Sequence, residues 1–266
     1  MNGEAKNKAM SRRDFLTTAA KGAGALGLVF FGGGFAFVSA NTVSRSTGKT
    51  IGKYEYDPFK HEYLYLIDVS KCIGCGSCVR ACERENDVPE HYFRTWVERY
   101  HVSLHGQLFV DSPNGGRDGF SPKVIDADIT KSFFVPKLCN HCTNTPCAQL
   151  CPVGASFVSP DGLVLVDEDR CIGCSYCVQA CPYGSRFIHP ETHTASKCTL
   201  CCHRLAKGLT TACVQNCPTG ARRLGDSKML GDEVTRIIST SNVRLLKPEL
   251  HTEPKCYYVN ASQEVR

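Results

Sequence analysis

The sequence predicts an α+β chain in which one two-part unit is used twice. Three observations carry that prediction. The stretch CIGCGSCVRACE, Cys72 to Glu83, returns as CIGCSYCVQACP, Cys171 to Pro182. Two further cysteine groups share a different ending, CAQLCPVGA and CVQNCPTGA. Of 18 cysteines in 266 residues, sixteen fall into these four groups. Spacings so regular point to shared metal or redox chemistry rather than to a disulfide scaffold.

Near its start the sequence has SRRDFL, Ser11 to Leu16, ahead of a glycine-rich apolar run that closes on VSA at Ala40. Residues 1–40 therefore read as a twin-arginine export signal, with Arg12 and Arg13 as the pair and cleavage after Ala40. A retained membrane anchor is the competing reading. That export route carries proteins already folded, with any cofactor in place. No other apolar stretch is long enough to cross a bilayer, so a periplasmic protein held at the membrane only through partners is expected. Formal charge is +5, but beyond residue 40 it is 26 basic against 24 acidic side chains, which is no nucleic-acid signal.

The first motif is Cys72, Cys75, Cys78 and Cys82; the third is Cys171, Cys174, Cys177 and Cys181. Both have the C-x2-C-x2-C-x3-C spacing of bacterial ferredoxins, which signals a [4Fe-4S] cube. Three cysteines two residues apart wrap one cube, and small residues (Gly74, Gly76, Gly173) allow the tight turn. A short helix opens at the third cysteine, so the fourth lies a turn further on and serves a neighbouring cube. The second motif is Cys139, Cys142, Cys147 and Cys151, and the fourth is Cys198, Cys201, Cys213 and Cys217, each followed by proline. Zinc needs only two C-x2-C pairs and has no use for a third cysteine in each loop. Sixteen ligands divide into four [4Fe-4S] clusters with no iron left open for catalysis. Cys202 follows Cys201 directly, and the x2 spacing from Cys198 selects Cys201 as the ligand; Cys256 reads as a plain thiol.

With these motifs, from DVSKCIGCGSCVRAC to KCTLC…CVQNCPTGA, residues 63–224 resemble the four-cluster electron-transfer subunits of respiratory oxidoreductases. That family includes the dimethyl-sulfoxide, polysulfide and tetrathionate reductases, formate dehydrogenase and the formate-dependent nitrite reductase system. Within it the sequence resembles the periplasmic iron–sulfur subunit of the sulfite-reductase-associated membrane complex. The resemblance implies that the first motif pairs with the fourth and the second with the third. One cluster then takes Cys72, Cys75, Cys78 and Cys217, and the next takes Cys82, Cys198, Cys201 and Cys213. A third takes Cys139, Cys142, Cys147 and Cys181, and the last takes Cys151, Cys171, Cys174 and Cys177. It implies two ferredoxin-like dicluster lobes, one inserted in the other, with irregular loops and a C-terminal tail. The corresponding segments are an outer lobe begun by 41–134, an inner lobe at 135–190, the outer lobe resumed at 191–230, and a tail at 231–266. The implied role is non-catalytic relay between a quinone-reactive membrane subunit and a periplasmic molybdopterin or multihaem cytochrome subunit. The rivals are a freely diffusing carrier and an enzyme with an open cluster iron.

Several weaker signals complete the reading. Lys71, Arg170 and Lys197 each precede the first cysteine of a motif, placing a cation beside a cube or merely in solvent. His141 and His203 lie in cluster loops as supporting or surface residues. Tyr176, Tyr183 and Phe187 are expected to pack around the clusters. DSPNGGRDGFSP, Asp111 to Pro122, reads as a hairpin tip between QLFV and KVID. The segment from Arg244 to Arg266 is too irregular for a core of its own, and lies along a partner, back over the first lobe, or loose. Glu83, standing where the other copy has Pro182, predicts a longer first helix whose extra turn faces outward toward a partner.

Overall fold

A computed structural model of the protein describes residues 56–122, 125 and 128–265. The expected export signal lies outside them. Among the described residues no helix is long and apolar enough to cross a membrane.

The fold grows around β1 (Tyr63–Asp68), in the sheet order β10–β11–β1–β9 with β9 (Arg222–Asp226), β10 (Val243–Arg244) and β11 (Cys256–Val259). Tyr65, Leu66 and Ile67 are all buried, because β1 is covered on both faces. Tyr65 and Ile67 join the main core with Val79, Leu138 and Tyr258. Leu66 packs with Val234 of helix α6 (Glu233–Thr240) and Val259. Asp232 caps that helix, accepting from the Thr235 N–H at 2.7 Å.

The last segment packs back against β1, one of the three readings above, but as an ordered strand, β11, rather than an irregular tail. It runs parallel to β1, Tyr65 opposite Cys256, with Cys256 and Tyr258 fully buried. A four-residue strand cannot form a core alone, but two buried positions suffice to complete a sheet that already has one.

A second sheet has the order β3–β2–β4, with β2 (Thr95–Ser103), β3 (Leu108–Asp111) and β4 (Ile129–Leu138). The second strand of the expected hairpin falls largely outside the described residues. β3 pairs with β2 through the short turn after Ser103, and Arg99 fastens Asp111 with two N–H···O bonds of 2.9 and 2.8 Å. Of KVID only Ile125 is described, and it lies outside any strand. Asp111 to Pro122 is instead a folded loop containing a 3-10 turn at Pro113–Gly116.

The remaining elements are small. Helices α1 (Ser77–Asn86), α2 (Pro146–Gln149), α3 (Tyr176–Ala180), α4 (Cys202–Leu205) and α5 (Ala212–Gln215) all start within cysteine motifs, and only α1 runs past the last cysteine of its own. Two ribbons follow the second and third motifs: β5 (Ser156–Val158) with β6 (Val164–Val166), and β7 (Arg186–Ile188) with β8 (Ala195–Lys197).

The expected difference between the repeated helices is present: α1 has ten residues and α3 has five. Proline removes an N–H and crowds the preceding turn, so the backbone leaves the helix before Pro182. α1 ends on Asp87 in the left-handed region, where the cap N–H bonds to Glu83 O. Its extra turn leaves Arg84 exposed and also makes contacts within the protein. Glu83 pairs with Arg117 at 2.7 Å, and Glu85 pairs with His203 and Arg204, each at 2.8 Å. Asn86 Nδ2 points back at two thiols, Cys82 Sγ at 3.5 Å and Cys201 Sγ at 3.8 Å.

Candidate iron–sulfur sites

The backbone turns come first. Gly74, Gly76 and Gly173 all have positive φ, which curls each repeated loop around the space its cysteines share. Three cavities are each ringed by one set of four thiols. The first is lined by Cys72, Cys75, Cys78 and Cys217. The second is lined by Cys82, Cys198, Cys201 and Cys213, and another by Cys151, Cys171, Cys174 and Cys177. In the remaining set, Cys142 is close enough to Cys139, Cys147 and Cys181 to interact electrostatically with all three. The structure thus brings together the four sets named above. It also separates the two adjacent cysteines: Cys201 lines its cavity with a φ of +49°, while Cys202 opens α4 and packs on the main core.

The surroundings suit an anionic metal cluster. Backbone N–H groups donate to sulfur: Leu200 to Cys198 at 3.4 Å, Ala195 to Cys171 at 3.3 Å, and Ser156 to Cys151 at 3.4 Å. The CPxGA ending has a local purpose. Burial pushes the Cys151 thiol up, but the N–H groups of Ser156, Val153, Ala155 and Gly154 outweigh it and hold it below the ordinary thiol range. Burial likewise raises Cys217, and Thr219 with the Arg222 and Ala221 N–H groups brings it below. At three other thiols burial dominates: Cys72 is pushed up to about 11 and Cys142 and Cys198 to about 12, with neighbouring thiols adding to the rise. Groups of buried thiols that resist ionising together need a cation among them, which iron provides. Among the described residues no three His, Cys, Asp or Glu side chains converge on the position of a single ion. A cavity ringed by four thiols suits the four irons of a cube.

The two halves of the motif set meet at one place. Cys139 lies close enough to act on Cys198, so the third set adjoins the second. Cys256 is buried near the same point, free and raised to about 12 by burial.

The weaker signals resolve unevenly. Lys71 and Arg170 are exposed, paired at i,i+3 with Asp68 at 3.6 Å and Asp167 at 3.2 Å. Lys197 is sealed, at 2% exposure. His141 is buried and held well below the usual imidazole range by desolvation, and its Nδ1 accepts the Val164 N–H at 3.0 Å. Tyr183 is half-buried and bonds Thr252 Oγ1 at 2.5 Å, and Phe187 packs on Tyr92. Tyr176 does not shield a cluster: it is 57% exposed, because α3 is too short to carry it under a neighbour.

Two buried guanidiniums, Arg186 and Arg222, were not foreseen. A signal existed: each stands five residues after the last cysteine of its motif, in CPYGSR and CPTGAR.

Family profiles described as "4Fe-4S dicluster domain" match residues 71–155 and 130–227, so this is a protein of four-iron clusters, and two dicluster domains provide for four of them. Among its relatives, the B subunit of tetrathionate reductase from Salmonella typhimurium is 42% identical over 215 residues, 78% of each sequence. The corresponding tetrathionate reductase protein of Archaeoglobus fulgidus is 47% identical over 74% of this sequence and 82% of its own. The B component of polysulfide reductase from Wolinella succinogenes is 36% identical over 74% and 94%. The protein belongs to this family of iron–sulfur electron-transfer subunits of reductase complexes, and is a non-catalytic component.

Proposed function

We propose that the protein holds four [4Fe-4S] clusters in line and relays single electrons between a quinone-reactive membrane subunit and a periplasmic redox subunit. That redox subunit is a molybdopterin enzyme or a multihaem cytochrome. The observation that carries the reading is the sequence of contacts among the thiol sets. The first and second sets are linked by Cys82, which leaves the first loop to line the second cavity. The second meets the third at Cys198 and Cys139. The third and fourth interlock, because Cys151 and Cys181 each serve the other's set. The ligand assignment puts an outer lobe around an inner one.

A cube supplies one-electron chemistry through the valence of its irons. The protein's own residues do the rest. The cysteines fix each site, the N–H groups stabilise charge on sulfur, and Val97, Leu138 and Leu200 keep water from the interior. The twin-arginine pair, Arg12 and Arg13, supports a periplasmic location, with the membrane reached through a partner.

The purified mature protein is expected to hold about sixteen iron atoms, four per cube, and little zinc. Iron near half that value overturns the four-cluster reading. Capture of the tagged protein from membranes should bring down an integral membrane subunit. Recovery alone would favour the free carrier, and dye-linked substrate turnover by the isolated protein would favour the enzyme.

A further inference from the structure

Three cations are sealed inside the protein without a carboxylate. Arg222 and Lys197 are each 2% exposed, and Arg186 is 5% exposed. Nε, Nη1 and Nη2 of Arg222 and both Nη atoms of Arg186 have no hydrogen-bond partner of ordinary geometry. Lys197 Nζ donates to the Cys198 carbonyl. Among the described residues none of the three is in an ion pair. Arg186 and Lys197 stand directly opposite one another across β7 and β8. Like charges facing across an antiparallel pair repel, and a lone buried charge is costly. Such an arrangement persists only beside a negative body.

The thiols around each cation identify that body. Arg222 lies against Cys72 and Cys78 of the first set and Cys213 of the second, and it lines the first cavity. Lys197 acts on Cys198 of the second set and Cys147 of the third. The Arg186 charge is within electrostatic reach of Cys147 and Cys139 of the third set and Cys177 of the fourth. Each successive pair of sets therefore shares one buried cation whose charge acts on thiols of both.

We propose that Arg222, Lys197 and Arg186 are the potential-setting residues of the relay, one at each step, each stabilising the reduced form of both clusters it faces. This rests on the four-cluster reading. In each step the electron lost at one site is gained at the next, and no bond forms or breaks. A fixed cation between the two attracts that electron on either side, so it raises both potentials together and keeps the step between them shallow. Arginine suits the task because it stays charged in a dry site.

The test is a potentiometric titration of the purified, cluster-loaded protein followed by electron paramagnetic resonance, with iron counted first. A wild-type count near sixteen establishes the cluster reading independently of the variants. Arg222→Gln should lower two of the four potentials, Arg186→Gln the other two, and Lys197→Met one of each pair. A tenfold loss in the reduction equilibrium, about 59 mV for a one-electron couple, is the expected scale. Arg222→Lys and Arg186→Lys should restore most of it. Unmoved potentials, four potentials that shift together, or losses the lysine variants do not restore would overturn the proposal. So would loss of iron from both glutamine variants, which would make the cations elements of assembly.

Discussion

The loops Cys72–Glu83 and Cys171–Pro182 make the same turn and live in different surroundings. Gly76 and Ser175 occupy one position, just before the helix, with φ of +70° and +65°. Over the first loop lies the segment 111–119. A Cβ on Gly76 would collide with the carbonyls of Gly116 and Arg117, and Arg80 donates to both Cys75 O, at 3.1 Å, and Arg117 O. Among the described residues no such cover lies over the second loop at that position: Cys174 is exposed, and Tyr176 faces solvent. The cysteine spacing dictates the turn. What is packed on it dictates which residue the turn tolerates and how far the helix runs.

Iron removal should separate the two loops most. The first rests on α1 and the main core, while the second is supported by two-stranded ribbons and a small cluster of Cys147, Val164, Cys177 and Ala195. A metal site in so small a core is itself the folding energy. Under chelation, hydrogen exchange should open residues 171–181 well before 77–86; simultaneous opening would show that both depend equally on metal. Next in size, Glu83→Pro writes the second copy's proline into the first. It should cost about 3 kcal/mol or more by breaking α1, and should also release Asn86 from Cys82 and Cys201. Urea unfolding with the helical signal monitors both, and an unchanged midpoint would mean the extra turn is dispensable. Smallest is the exchange at the shared position. Gly76→Ser should cost about 1–3 kcal/mol from the collision, whereas Ser175→Gly should stay within about 1 kcal/mol, strain relief offsetting backbone entropy. Equal costs would remove the distinction drawn from the covering loop.

What was legible beforehand follows physical locality. The cysteine registers, the tight turns and the unequal helices are set by neighbours within a dozen residues. β3 pairs with β2 through a short turn that the sequence did not single out, because the glycine-rich loop after β3 offered an equally good one. β11 was illegible because its partner lies some 190 positions earlier, Tyr65 against Cys256. The three basic residues before motifs looked equivalent, yet Lys71 and Arg170 each have an aspartate three residues back where Lys197 has Thr194. That missing carboxylate was the readable mark of the buried one. Arg186 and Arg222 were marked too, by their shared distance from a cysteine, but a position repeated only twice carries weight only once its burial is known.

The parallel pairing of β1 with β11 also fixes an order of events in synthesis. β1 leads directly into the first cysteine loop, but the sheet behind that loop stays unfinished until residues 256–259 have been made, and its cavity lacks a wall until Cys217 arrives. Contacts this distant in sequence close late. The set that includes Cys72 and Cys217 is thus completed later in synthesis than the set that spans Cys151 to Cys177.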